Sequence, residues 1–248
     1  MDNIDIQTYL DSLPNDTLTL NLANKNLTEL PDLSRFIKLL TLFCSNNKLT
    51  SLPHLPDSLQ ELHCDFNRLT SLCCPHGPPN LPNSLLELWC SNNQLTSLPY
   101  LPDSLQRLYC HNNQLTSICC PHGPPNLPNS LLEFWCSNNQ LTSLPDTLPD
   151  SLQTLYCHIN QLTSLPDNLP NSLQKLFCAN NQLTSLPPNL PNTLRELYCN
   201  KNQLTSLPPL PDSLQELYCQ NNPLTSLPDH LPDSFSQELF LLYNLLNP

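Results

Sequence analysis

One segment, lightly varied, occurs nine times along the chain and limits what the chain can fold into more than any other feature. It reads Leu-x-x-Leu-x-Cys-x-x-Asn-x-Leu-Thr-x-Leu-Pro, and positions are numbered below from its first Leu. The copies begin at Leu39, Leu59, Leu85, Leu105, Leu131, Leu152, Leu173, Leu194 and Leu214. A weaker copy begins at Thr17. A period of 20 to 26 residues predicts a solenoid in which each copy forms one coil and neighbouring coils share a core.

The apolar positions of each copy predict a short strand followed by an extended return. Positions 1, 4 and 6 are apolar and end in alternation, which is typical of a strand with one buried face. Two prolines follow within nine or ten residues and exclude a helix on the return path. We therefore expect a curved solenoid of about ten coils, with a concave parallel β-sheet and an extended, polyproline-like convex side.

Position 9 is asparagine in all nine copies. A buried asparagine amide can bond to backbone groups of the turn in its own and the adjacent coil. The expected ladder is Asn47, Asn67, Asn93, Asn113, Asn139, Asn160, Asn181, Asn202 and Asn222. Lys25 stands at this position in the weak first copy, so we expect the ladder to begin one coil later.

These motifs resemble the leucine-rich repeat, and the Leu-Pro-x-Ser-Leu that follows resembles its short bacterial subtype. This subtype occurs in Yersinia outer protein M and in the ubiquitin-ligase effectors of Shigella and Salmonella. Cysteine at position 6 is also similar to leucine-rich repeat proteins of giant DNA viruses of amoebae. The resemblance covers roughly residues 17–232 and implies a horseshoe fold. It does not extend to a ligase domain, for which the residues after Pro232 are too few.

The two ends of the chain depart from the repeat. Residues 1–16 contain apolar residues at helical spacing before Pro14, which predicts an N-terminal cap on the array. The array itself spans 17–232, with longer loops at 73–80 and 119–126. Residues 233–248 are rich in Leu and Phe and predict a C-terminal cap, with a partner-binding helix as the alternative.

Charge and composition exclude several classes of partner. The net charge is −12 with 9 basic residues, which argues against nucleic acid and anionic membranes. The first residues lack the basic and apolar regions of a signal peptide. We therefore expect a cytoplasmic protein, either in its own cell or in the cytoplasm of a host cell.

Thirteen cysteines could suggest a disulfide framework, but nine of them occupy position 6 on the apolar face. There cysteine behaves as a small hydrophobe, and in-register parallel strands hold neighbouring side chains parallel rather than converging. We expect reduced core thiols and a reducing compartment.

Position 5, on the opposite face of each strand, is the main candidate binding site. It carries Phe43, His63, Trp89, Tyr109, Trp135, Tyr156, Phe177, Tyr198 and Tyr218. With coils about 4.8 Å apart these rings can stack, and stacking alone is the simpler reading of the row. An exposed row of aromatic residues also predicts a contact surface for a protein partner.

The two longer loops contain Cys-Cys-Pro-His-Gly-Pro-Pro and offer a second candidate site. Their potential metal ligands are Cys73, Cys74, His76, Cys119, Cys120 and His122. The surrounding segments are nearly identical, so tandem duplication explains the pair without any ligand. The loops also lie two coils, roughly 10 Å, apart, which is too far for one ion. We expect no cofactor.

The sequence offers no catalytic set. His111 and His158 share a face, but they are two coils apart and we find no Ser or Cys at a defined spacing from them. We therefore predict a non-enzymatic scaffold that binds a protein through the aromatic row. The alternatives are a host-directed effector that recruits a ubiquitin-ligase or kinase complex, a structural protein with weak self-association, and a metal or redox module at the two loops.

Overall fold

The computed structural model describes residues 6–72, 81–118, 127–226, 228 and 231–232. Both Cys-Cys-Pro-His loops and the predicted C-terminal cap lie outside these residues. Within these residues, one helix and ten short strands form in chain order. They are α1 Ile6–Asp11, β1 Thr19–Asn21, β2 Thr41–Phe43, β3 Glu61–His63, β4 Glu87–Trp89, β5 Arg107–Tyr109, β6 Glu133–Trp135, β7 Thr154–Tyr156, β8 Lys175–Phe177, β9 Glu196–Tyr198 and β10 Glu216–Tyr218.

The strands form one parallel sheet in sequence order, β1 to β10. The register joins equal repeat positions, so that Leu42 pairs with Leu62 and Phe43 pairs with His63. The described residues between strands are turns and irregular segments. This arrangement confirms the predicted solenoid of stacked coils.

Leucines and cysteines fill one continuous core behind the sheet. The leucines at positions 1 and 11 of every coil from Leu39 to Leu204 are fully buried. The described cysteines are free, and those at position 6 are buried except Cys219, which is half-buried in the last strand's coil. Burial raises the pKa of the Cys44 and Cys157 thiols to about 12, so they stay protonated and behave as apolar groups.

The position-9 asparagines make one repeating set of hydrogen bonds, which Asn93 illustrates. Its Nδ2 donates to the carbonyl oxygens of Cys64, Cys90 and Ser91 at 3.1 to 3.2 Å. Its Oδ1 accepts from the N–H of Leu69 at 2.9 Å. One side chain therefore bonds to backbone groups of two coils inside the core. At the start of the array, Asn47 Oδ1 accepts hydrogen bonds from the N–H groups of Lys25 and Leu27 in the first coil.

A second polar row forms where the coils that begin at Leu59 to Leu214 re-enter the sheet. The Ser or Thr before position 1 donates to carbonyl oxygens of the preceding coil, as Ser84 Oγ does to Asp57 and Leu59 at 2.6 and 2.7 Å. The sequence predicts only a tight turn here, and the structure adds a bond between coils.

At the N-terminal end, α1 packs on the first coils. Leu10 is buried in the core, and the Arg35 guanidinium donates to the carbonyl oxygens of Leu10 and Leu13. We propose on this packing that α1 caps the array. Among the described residues, no helix has the length and apolar character needed to cross a membrane.

Candidate protein-binding site

The position-5 side chains stand in one row on the open face of the sheet, and we call this row the aromatic strip. Each strand of three residues buries its central residue, so its first and third side chains point to the other face. Ring contacts run unbroken from Phe43 to Tyr218, with centroids of neighbouring rings 3.9 to 5.2 Å apart. Spacing set by the backbone therefore produces a continuous aromatic surface across nine strands.

The strip is less exposed than the sequence suggests. Tyr109 is only 6% exposed and Tyr218, on the last strand, is 44% exposed. The other members are half-buried. The rings cover one another because the distance between coils is close to the preferred distance between stacked rings.

Carboxylates at position 3 hold several of the rings in place. Trp89 Nε1 donates to Glu87 at 3.3 Å, and the Tyr109 hydroxyl donates to Glu133 at 3.0 Å. The Tyr198 hydroxyl donates to Glu216 at 2.5 Å, and this bond raises the tyrosine pKa. A ring fixed on its face by stacking and at its tip by a hydrogen bond has little rotamer freedom to lose on binding.

The charges on this face are mostly negative. Positions 3 and 7 together place six carboxylates and two cations beside the strip. Arg107 lies between Glu87 and Glu133 and pairs with both, and Lys175 pairs with Glu196 at 2.8 Å. The cations are therefore neutralised within the face, which keeps a net negative charge.

The position-7 row contains His111, Ser137 and His158 at the centre of the strip. Ser137 lies on the coil between those of the two histidines. Ser137 is 6% exposed. His111 Nδ1, His158 Nδ1 and Trp135 Nε1 are buried and have no hydrogen-bond partner.

Position 8 holds a backbone feature that the sequence analysis also missed. Every coil adopts a positive φ there, between 51° and 59°, and most coils use asparagine, which tolerates it. Phe66 and Ile159 adopt the same conformation, with φ of 52° and 54°, and both are exposed. The Asn-Asn pairs at positions 8 and 9 of several copies were the sequence signal that could have predicted this backbone conformation.

The candidate metal ligands of the two loops lie outside the described residues. Within the described part of the chain, no group of three or more His, Cys, Asp or Glu side chains is placed to hold a metal ion.

Comparisons with known proteins identify the repeat. Residues 171–212 and 192–233 match the family model described as Leucine Rich repeats (2 copies). No curated protein matches the sequence.

Solved structures share the fold. YopM from Yersinia enterocolitica is 30% identical with a TM-score of 0.61, and the alignment covers 91% of this chain and 60% of YopM. The leucine-rich repeat domain of a Shigella effector is 29% identical with a TM-score of 0.50, and the coverage is 89% and 76%. The ectodomain of the Arabidopsis thaliana receptor kinase GASSHO1/SCHENGEN3, in complex with CASPARIAN STRIP INTEGRITY FACTOR 2, is 22% identical with a TM-score of 0.57. Its alignment covers 87% of this chain and 29% of the ectodomain, and it is a likeness of fold alone. The resemblance to giant-virus proteins stays a prediction.

Proposed function

Starting from a chain that carries leucine-rich repeats and folds as their solenoid, we propose that it is a non-enzymatic scaffold that binds a protein through the aromatic strip. The observation that carries the proposal is the unbroken contact of nine rings across nine strands. The centre of the proposed interface is Trp89, Tyr109, Trp135 and Tyr156.

Stacking between strands explains part of this row but leaves its composition unexplained. Each ring pair contributes about 0.5–1.5 kcal/mol, and any aromatic ring would supply that. Trp and Tyr add polar tips, and they dominate the energetically important residues of protein interfaces. Here the tips of Trp89 and Tyr109 are tied to carboxylates. We infer that the rings are held ready for a partner.

The length and charge of the surface favour a protein partner. Nine strands at about 4.8 Å extend over roughly 38 Å, which is long and open compared with a pocket for a small molecule. The excess of carboxylates beside the rings favours a partner that presents apolar groups to the strip and basic groups to its edges.

Likeness to bacterial effector domains favours a second, narrower proposal. In this reading the chain is a host-directed effector that acts in the host cytoplasm and recruits a ubiquitin-ligase or kinase complex. The chain spans 60% of the YopM chain it resembles, so activities of the whole relative enter only as this proposal. Co-purification of ligase or kinase subunits with the tagged chain from host cells tests it, and their absence from repeated captures contradicts it.

The test of the main proposal is quantitative affinity capture with the unmodified protein and the Trp89→Ala/Trp135→Ala variant. We expect the double variant to lose at least one direct protein partner, because the two indoles that it lacks lie at the centre of the strip. The Tyr100→Ala variant is the matched control, because Tyr100 is an exposed aromatic residue on the return path rather than on the strip. We expect the Tyr100→Ala variant to retain the partner.

Circular dichroism and urea unfolding establish that the double variant is folded before the captures are compared. If the folded double variant keeps every partner of the unmodified protein, the strip is not the binding surface. Sedimentation decides the self-association alternative. A concentration-dependent dimer that dissociates in the double variant identifies the second copy as the occupant instead.

A further inference from the structure

We propose that His111 and His158 make the centre of the aromatic strip responsive to pH. Near neutral pH the two imidazoles are uncharged, and below it they become charged and the surface binds its partner less tightly. The inference rests on the proposed function, since it concerns the regulation of the same strip.

Both histidines contact the rings at the centre of the strip. The His111 and Trp135 ring centroids are 5.9 Å apart, and the His158 and Tyr156 centroids are 6.1 Å apart. The coil that carries Trp135 and Ser137 lies between the two histidine coils. Protonation of His111 therefore places a charge beside the Trp135 indole, and protonation of His158 places one beside the Tyr156 ring.

The buried Nδ1 edge of each ring has no partner for such a charge. Both Nδ1 atoms are buried and unpaired, and a protonated imidazole there has an N–H with no acceptor. The neighbouring position-7 residues are Ser91, Ser137 and Ala179, which are buried and uncharged. The carboxylate that faces His111 along this row is Asp65, two coils away.

The direction of the pKa shifts agrees with this geometry. Burial lowers the pKa of His111 below 6.5, and Asp65 opposes the shift without reversing it. Burial also lowers the pKa of His158, and the charge on His111 lowers it further. The two sites therefore oppose each other's protonation.

A partner that covers the strip increases the burial of both rings and stabilises their neutral forms. Binding then releases protons from any histidine that is already charged. Below the pKa of such a histidine, affinity falls by about tenfold per pH unit for each ring that must become neutral.

The direct test uses the two tryptophans of the chain as separate reporters. The Trp89→Phe variant leaves Trp135 as the only indole, and a protonated imidazole in contact quenches indole emission. We expect Trp135 emission to fall on acidification, with a midpoint below the 6.5 of an unperturbed imidazole. Adding His111→Gln and His158→Gln removes this titration, whereas adding His63→Gln preserves it.

The Trp135→Phe variant supplies the matched control. It leaves Trp89, which stacks on His63 at a centroid distance of 5.2 Å and has no contact with His111 or His158 in the described ring pairs. We expect the emission of Trp89 to change as His63 becomes protonated. Substitution of His111 or His158 should leave that change unaltered. A Trp135 titration that survives the double His→Gln change, or the lack of any titration, overturns the proposal.

Two further readouts keep the proposal falsifiable. Proton NMR of the unmodified protein follows the imidazole resonances, with single His→Gln variants for assignment, and midpoints at or above 6.5 contradict the proposal. These measurements need no partner, so they can succeed even if the strip proves not to bind. With a captured partner, equal affinity at pH 7.5 and 5.5 overturns the control of binding by pH.

Discussion

The two faces of the same strands differ in how completely their polar groups are paired. On the buried face the position-9 asparagines bond to backbone groups of two coils in the same way from Asn47 to Asn202. On the open face the side chains vary from coil to coil and most rings are half-buried. The nitrogens His111 Nδ1, Trp135 Nε1 and His158 Nδ1 have no hydrogen-bond partner there. The repeated face holds the fold, and the varied face is free to carry a specific contact.

The largest expected effect comes from breaking the ladder on the buried face. Asn93→Ala removes the acceptor of the Leu69 N–H and one of the two amide bonds to each of the Cys64 and Cys90 carbonyl oxygens. An unsatisfied buried group costs about 1–3 kcal/mol, so we expect a loss of about 3 kcal/mol in the free energy of unfolding. Urea unfolding measures it, and Gln94→Ala, at an exposed neighbour, serves as the control with almost no change.

A smaller loss is expected from changing one core thiol into a hydroxyl. Cys157→Ser puts a more polar group in a fully buried position, and we expect a loss of about 2 kcal/mol. Cys219→Ser, in the half-buried last coil, should lose clearly less. Equal losses at the two positions would mean that burial is not what determines the cost.

A gain in stability is expected at position 8. Ile159 holds a left-handed backbone conformation that a β-branched residue disfavours, at φ of 54°. Ile159→Asn should therefore raise the free energy of unfolding by about 1 kcal/mol, and the reverse change Asn180→Ile should lower it by a similar amount. Thermal unfolding of the two variants measures both, and a destabilised Ile159→Asn protein would show that the isoleucine makes a contact worth more than its strain.

The smallest effect concerns the histidines of the open face. Their folded pKa values lie below the unfolded value of 6.5, so the unfolded chain takes up protons first as the pH falls. Stability is therefore lost as the pH falls through 6.5 and levels off below the folded values. Urea unfolding at pH 7.5 and 5.5 should show a smaller pH dependence in the His111→Gln/His158→Gln variant than in the unmodified protein.

Sequence reasoning succeeded where the period alone determines the outcome. Leucine at positions 1, 4 and 11 and two prolines on the return path leave little but a solenoid with a parallel sheet. The same period placed the position-6 cysteines in the core, where those eight from Cys44 to Cys199 are buried and free.

Sequence reasoning was less successful where side-chain geometry determines the outcome. The half-burial of the rings depends on how each ring packs on the next, which the order of residues does not specify. The left-handed backbone at Phe66 and Ile159 runs against the preference of both residues, and the neighbouring coils impose it. The bond from Ser84 to the preceding coil joins residues 25 apart, so a reading of local turns could not find it.

The central claim is that the open face, and specifically the aromatic strip, meets the partner. Hydroxyl-radical footprinting of the protein alone and in the captured complex tests it directly, because it reports the solvent access of each aromatic side chain. We predict protection of Trp89, Trp135 and Tyr156 in the complex, with Tyr100 on the return path unchanged. Protection of Tyr100 while the strip keeps its reactivity would contradict the account.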